Sequence, residues 1–183
     1  MQDLHGHIEA IVGPMYSGKT TELQRIIRRY SLAGKSTILL KHAADTRYGA
    51  EYVCSHDEVR MKAIPVLSLH LTYIEPYDVI GIDEGQFFRG IAKFADDLAT
   101  KGKIVIIAAL SSDFLRKPFP EIAPLLSVAE KIHHLTAVCR LCGQDASFSL
   151  RKSVVREQQL LGGHEMYEAC CRKCYNRLYP LFH

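Results

Sequence analysis

An α/β fold built on a parallel sheet is predicted by three features of the 183-residue sequence. Short runs that are almost wholly apolar and rich in β-branched residues occur at 79–83 and 104–110, as strands covered on both faces require. Segments of helical periodicity lie among such runs, and alternation of strand and helix is the pattern of an α/β sheet. The first apolar run leads through a glycine-bearing turn into a helix. That turn, Gly13-Pro-Met-Tyr-Ser-Gly18-Lys19-Thr20, matches G-x-x-x-x-G-K-[ST] in full.

Taken in order, residues 7–12 are a short apolar run ending at Gly13 and predict a buried strand. Residues 19–33 predict a helix with Leu23, Ile26, Ile27 and Tyr30 on one face; Arg25, Arg28 and Arg29 fall on the other, a solvated one. Gly34 closes that helix. Strands follow at 36–40, 79–83 and 104–110. Between the last two, residues 87–100 predict a helix stopped by Gly102. A short helix after Pro120 and a strand at 131–135 complete the series. At about Thr136 the apolar runs give way to paired cysteines separated by a long polar stretch, so the expected division is 1–135 and 136–183.

The length suits one domain, or one with a small appendage. With 48% hydrophobic and 23% charged residues the composition is that of an ordinary soluble globular protein. The formal charge of +3 is mild and spread along the chain, so no nucleic-acid partner is expected. No stretch approaches the roughly 18 apolar residues of a membrane span. Residues 1–10 carry no basic region followed by an apolar core, so no secretory signal is expected either. The six cysteines are therefore read in a reducing, cytoplasmic setting, where paired cysteines hold metal more often than they form disulfides.

The spacing of the glycine turn has a physical cause. Gly13 and Gly18 let the backbone wrap a phosphate with its N–H groups inward around Ser17, and the following helix adds the positive end of its dipole. Lys19 is expected to reach the β- and γ-phosphates of ATP, and the Thr20 hydroxyl to ligate Mg²⁺. The apolar strand at 79–83 ends in Asp83-Glu84. An aspartate at such a strand end completes the Mg²⁺ site, and Glu84, one residue on, can face the nucleophile. A glutamate of pKa about 4.3 is ionised at neutral pH and can accept a proton. The pair alone does not separate a kinase from a hydrolase that activates water.

Cys139-x-x-Cys142 and Cys171-x-x-Cys174 supply four thiolates, each able to lie about 2.3 Å from one Zn²⁺ in a closed, structural tetrahedron. The 28 residues between the pairs exceed the usual ribbon gap of about 15–20, so a long loop is pinned at both ends by the metal. Cys170 is a rival ligand, but only Cys171 has the two-residue spacing to Cys174. His133, His134 and His164 are expected to be structural, Cys54 a plain thiol, and a disulfide framework is the alternative to zinc.

Several segments keep one order along nearly the whole chain. They are the glycine turn, Asp45-Thr-Arg-Tyr48, Ser55-His-Asp57, Ile80-Gly-Ile-Asp-Glu-Gly-Gln-Phe-Phe88, Arg116-Lys-Pro-Phe119, Ala137-Val-Cys-x-x-Cys-Gly143 and Cys171-Arg-Lys-Cys-Tyr175. The set resembles the zinc-containing thymidine kinase family of cells and poxviruses. The resemblance implies a RecA-like phosphate-loop sheet flanked by helices with a small zinc-binding lasso domain. It implies transfer of the γ-phosphate of ATP to the 5′-hydroxyl of thymidine or deoxyuridine.

Glu84 falls on the family's catalytic base and Asp83 on its indirect Mg²⁺ ligand; Arg47 matches an arginine at the site of transfer and Asp45 a neighbouring acid. The family pattern places Met15, Gln86, Phe87, Leu110, Phe114 and Phe119 around the base, with Arg151 near the pocket. It has Leu160, Leu161, Gly162 and Gly163 of the lasso reading the base through main-chain groups, and Tyr167 packing on the nucleoside. A homotetramer and feedback inhibition by deoxythymidine triphosphate are implied too. One departure stands beside the pocket: many members have Asp-Gly-Thr-Phe where this chain has Ser111-Ser112-Asp113-Phe114. The rivals are an ATPase whose zinc unit binds nucleic acid and a GTP-binding switch; no Asn-Lys-x-Asp segment supports the latter.

Overall fold

The computed structural model describes residues 5–45, 52–54, 60–152 and 166–182. The chain opens with strand β1 (His7–Gly13), helix α1 (Lys19–Leu32) and strand β2 (Thr37–His42). A small antiparallel ribbon, β3 (Tyr52–Cys54) and β4 (Arg60–Lys62), precedes the short strand β5 (Ile64–Val66). Then come β6 (Val79–Ile82), α2 (Ile91–Thr100), β7 (Ile104–Leu110), α3 (Ile122–Val128) and β8 (Lys131–His134). Six strands form one parallel sheet in the order β5-β2-β6-β7-β1-β8. The strand leading to the glycine turn and the strand leading to Asp83 are thus separated by β7, the RecA-like arrangement.

Alternation along each strand sends side chains to two apolar layers. Ile8, Ala10 and Val12 of β1, Ile80 and Ile82 of β6, and Val105, Ile107 and Ala109 of β7 pack with Ile91, Ala95 and Leu98 of α2 and Ile122 and Leu125 of α3. The opposite face presents Ile11, Leu39, Val79, Ile104, Ile106 and Ala108 to Leu23, Ile26 and Ile27 of α1. At Gly81 the approach of α1 is so close that an added Cβ would stand 2.1 Å from Ile27 Cδ1. A side chain there would force the Ile27 side chain to repack between helix and sheet.

Helix α1 has the expected face: Leu23, Ile26 and Ile27 are buried, while Arg25, Arg28 and Arg29 are exposed. Helix α2 starts later than the periodicity suggested. Residues Gly85–Phe87 form a 3₁₀ turn, Phe88 is extended and buried, and Gly90 at φ 74° begins the α-helix. The apolar pattern continued through the turn because Phe88 belongs to the same core, and periodicity did not register the left-handed break. Strands β3, β4 and β5 were not anticipated, being only three residues each.

One polar cluster interrupts the α1 face. Glu9 of β1 is buried and accepts bonds from His7 Nε2 at 3.0 Å, Lys131 Nζ at 3.0 Å and His133 Nε2 at 3.1 Å. Burial raises the pKa of this carboxyl, but those three donors outweigh it and hold Glu9 at about 2.

Beyond β8 the chain forms β9 (Ala137–Val138) paired antiparallel with β10 (Asp145–Ala146). A second antiparallel pair, β11 (Phe148–Arg151) and β12 (Tyr167–Cys170), leads into helix α4 (Arg172–Phe182). Two small apolar clusters are buried there, Ala137, Cys139, Ala146, Ala169 and Cys174 in one and Leu150, Cys170 and Tyr175 in the other. No helix among the described residues is long and apolar enough to cross a membrane.

Candidate active site

The chemistry-bearing residues collect at the carboxyl ends of the parallel strands, where an open α/β sheet leaves its crevice. The glycine turn leaves β1 and enters α1 at Gly18, whose φ of 81° suits a residue without Cβ. Lys19 Nζ and Ser17 Oγ both donate to the Pro14 carbonyl, at 2.6 and 2.9 Å. The ammonium is therefore folded over the loop that the motif assigns to phosphate. On the neighbouring strand end, the Thr20 hydroxyl lies 3.3 and 3.1 Å from the two carboxylate oxygens of Asp83. Burial, and then the charge of Glu84, push Asp83 up to about 7. A cation at this Thr20–Asp83 pair would offset both effects and favour the ionised carboxylate, so the donor set fits a hard divalent ion.

Glu84 adopts a left-handed conformation, φ 54° and ψ 44°, which costs a non-glycine residue about 1–3 kcal/mol. Its backbone N–H donates to Asp83 Oδ1 at 3.0 Å, and its carbonyl accepts from Phe87 N–H at 3.0 Å. Its carboxylate accepts from Gln86 Nε2 at 2.6 Å. Gln86 is buried, and its Oε1 accepts from the Leu110 N–H at 3.1 Å. His42, at the end of β2, packs on the rings of Phe87 and Phe88 at 5.5 and 5.1 Å; burial holds its pKa below the ordinary value. Nothing in the sequence pattern singled out His42, because a lone histidine carries no spacing signal.

The remaining residues expected around the base divide. Phe87 and Leu110 are half-buried at the strand ends. Phe119 is enclosed in the core with Ile122 and Leu125. Arg151 is wholly buried: it donates from Nε and Nη2 to the Tyr167 hydroxyl at 3.0 and 2.6 Å, and its guanidinium lies 3.8 Å from the Phe114 ring centroid. Tyr175 donates to the Phe114 carbonyl, and Arg116 stacks over the Tyr175 ring at 4.6 Å. The departure at 111–113 has a visible consequence. Asp113 is buried, and its Oδ1 accepts from the N–H groups of Leu115 and Lys117, at 2.9 and 2.8 Å, closing the turn that carries Phe114. Arg47 and Leu160, Leu161, Gly162 and Gly163 lie outside the described residues, as does His164. Asp45 is buried just beyond β2, with its N–H on the His42 carbonyl at 2.9 Å.

Cys139, Cys142, Cys171 and Cys174 come together with all four Sγ atoms within 4.8 Å of one another. A tetrahedral Zn²⁺ with bonds of about 2.3 Å needs sulfurs about 3.8 Å apart. Cys142 and Cys171 stand at 3.6 Å, too far for a disulfide. Burial raises Cys139, but the N–H groups of Cys171 and Leu141 outweigh it and bring the thiol down to about 6. Burial pushes Cys174 up to about 12, so without a cation the four do not all become thiolates. The set can hold a metal ion. Cys170 is buried outside the cluster and is pushed up to about 12, chiefly by burial.

One connection was invisible in the sequence. Tyr16 of the glycine turn, at φ 66°, packs against the cluster that contains Cys139 and Cys174. The Met15 N–H donates to Ser149 Oγ at 2.9 Å, and the Tyr16 hydroxyl lies 3.5 Å from the Tyr167 carbonyl. The turn is thus braced by the cysteine-bearing ribbons.

Comparison with known proteins agrees with this geometry. The thymidine kinase family model matches residues 6–175. The thymidine kinase of Sheeppox virus (strain KS-1) is 46% identical over 173 residues, 93% of this chain and 97% of that protein. Those of Monkeypox virus and Vaccinia virus (strain Western Reserve) are each 46% identical over 172 residues with the same shares. Among solved structures, the flagellar accessory protein FlaH from Methanocaldococcus jannaschii shares the fold, with a TM-score of 0.52, 14% identity, and 77% of this chain and 75% of that chain covered. With a match across nearly its full length and a phosphate loop, acidic strand end and four-cysteine cluster in place, this chain belongs to the thymidine kinase family.

Proposed function

We propose that the chain transfers the γ-phosphate of ATP to the 5′-hydroxyl of thymidine, and of deoxyuridine, giving the 5′-monophosphate and ADP. The observation that supports this most directly is the placement of Glu84 one residue beyond Asp83, whose carboxylate touches Thr20 of the phosphate loop. A base so placed is within reach of a hydroxyl brought to the terminal phosphate of ATP.

In this reading Gly13, Ser17, Gly18 and Lys19 cradle the β- and γ-phosphates, and Thr20 and Asp83 hold Mg²⁺, which when bound neutralises the charge developing on the transferred group. The Glu84 carboxylate accepts the 5′-hydroxyl proton. The 5′-oxygen forms its bond to the γ-phosphorus as the bond to the β,γ-bridging oxygen breaks, and ADP carries away that electron pair. Arg47, with Asp45 beside it, is proposed to neutralise charge at the site of transfer. Met15, Phe87, Leu110 and Phe114 wall the base pocket, where a methyl group is worth about 1–3 kcal/mol. Phe119 contributes from the core beneath, and Arg151 fixes Phe114 and Tyr167.

The same proposal divides the chain at about residue 135. Zn²⁺ on Cys139, Cys142, Cys171 and Cys174 anchors a loop that carries Leu160, Leu161, Gly162 and Gly163 over the nucleoside and excludes water, the competing acceptor. A cytoplasmic setting, which keeps those thiols reduced, a homotetramer and inhibition by deoxythymidine triphosphate belong to this reading as well.

Incubation with γ-labelled ATP and a panel of nucleosides tests it. The expected product is labelled thymidine monophosphate; label released only as inorganic phosphate would overturn the kinase assignment in favour of a hydrolase.

A further inference from the structure

The amide of Gln86 is used at both ends, and its orientation leaves no choice. The Leu110 N–H can only donate, so the oxygen of the amide must face it, at 3.1 Å. The nitrogen then necessarily faces the Glu84 carboxylate, at 2.6 Å. Leu110 ends the central strand β7, and its position is set by that strand's pairing with β1 along the whole run from His7↔Ile104 to Gly13↔Leu110. The turn between the Glu84 and Gln86 side chains is equally fixed. At Gly85 an added Cβ would stand 2.6 Å from Ile107 Cγ2, so the turn lies flat on β7. The two backbone hydrogen bonds of Glu84 described above set where its Cα sits; the Gln86 amide sets where its carboxylate points.

We propose that Gln86 is a positioning residue for the phosphoryl transfer: it carries the register of β7 to the Glu84 carboxylate and aims that carboxylate at the acceptor hydroxyl. The inference rests on the reading of Glu84 as the base. It assigns Gln86 to the geometry of the base, distinct from the contact with the nucleobase that the family pattern suggests for this position. Because the group acts through Glu84, its loss should lower turnover while leaving the binding of both substrates nearly intact.

Steady-state kinetics of single and double variants test this. Gln86→Leu, of similar volume, is expected to lower kcat by about 10–100-fold with the KM for ATP and for thymidine changed by less than about threefold. Gln86→Glu keeps the side-chain length and still accepts from the Leu110 N–H, but it sets a second carboxyl against Glu84, and the pair must share a proton that compromises the base, so its kcat should fall at least as far while a fluorescent ATP analogue still binds. In Glu84→Asp, whose shortened carboxylate no longer meets the amide, adding Gln86→Leu should cost less than about threefold. An equal loss in both backgrounds, or near-normal kcat in both Gln86 variants while Glu84→Gln is inactive, would overturn the positioning role and leave the base intact. Near-normal turnover of Glu84→Gln would instead overturn the reading of the base, and this inference with it.

Discussion

The six-stranded sheet and the cysteine-bearing ribbons are held by different physics. In the sheet, almost every inward side chain of β1, β6 and β7 is aliphatic, and two continuous apolar layers close over α1 on one side and α2 and α3 on the other. In the ribbons, small side chains, four thiols and a lattice of arginines on aromatic rings take the place of such layers. Apolar burial is graded and tolerant, since many contacts share the load. A metal tetrahedron is all or none, since three thiolates and an open position make a different site. The difference teaches where each kind of change should be felt.

The largest expected effect is on the sheet side and spares stability. Glu84→Gln should lower turnover by about 10²–10⁴-fold, with ATP binding retained; isothermal titration with ATP beside a turnover assay checks both halves. If binding fell with turnover, the separation of chemistry from scaffold at the strand ends would be wrong.

Next is the breaking of the tetrahedron. Cys174→Ser is expected to lose bound zinc, measured as metal per chain, and to weaken thymidine binding by at least about tenfold. Hydrogen exchange should then quicken in β9–β12 and remain slow in β1, β6 and β7. A single cooperative loss of protection across both regions would erase the contrast.

A third test probes a buried carboxylate inside the sheet. Glu9 is held at about 2 against an ordinary value of 4.5. A depressed carboxyl stabilises the fold above its unfolded pKa, and that contribution is lost as pH falls from about 4.5 through about 2. The shift corresponds to about 3 kcal/mol. Urea melts from pH 7 to pH 2.5 should show wild type losing this stability while Glu9→Gln, already lower at pH 7, shows a flatter profile.

The smallest effect lies where the two regions meet. Ser149→Ala removes the acceptor of the Met15 N–H and should cost about 0.5–1.5 kcal/mol, seen as a fall of about 2–10-fold in ATP affinity. Unchanged affinity would mean that the phosphate loop keeps its shape without the ribbons.

Legibility in the sequence followed the same divide. Strands buried on both faces are written as apolar runs, so β1, β6 and β7 were found nearly to the residue, and the glycine turn and Asp83-Glu84 could be placed at their ends. Helix α2 began four residues late because Gly85, Phe88 and Gly90 shape a turn within an unbroken apolar pattern. The cysteine spacing carried the four-thiol cluster, since two x-x spacings pair the thiols whatever lies between. It carried nothing about what the site touches. The contacts of Tyr16 with the cysteine cluster and of Met15 with Ser149 join residues far apart in the chain, and no local pattern encodes them. The buried pairing of Arg151 with Tyr167 was not anticipated either: the family pattern put both at the nucleoside pocket and carried nothing about their contact with each other.

The bracing of the glycine turn from outside bears on speed as well as affinity. Tyr16 holds a left-handed backbone and packs against the cysteine cluster. A loop shaped in advance by its surroundings has little ordering left to do when a ligand arrives, so the entropy of arranging its amides is spent during folding. Nucleotide capture should then leave the backbone nearly still and ask chiefly the Lys19 ammonium to move, from the Pro14 carbonyl toward the phosphate.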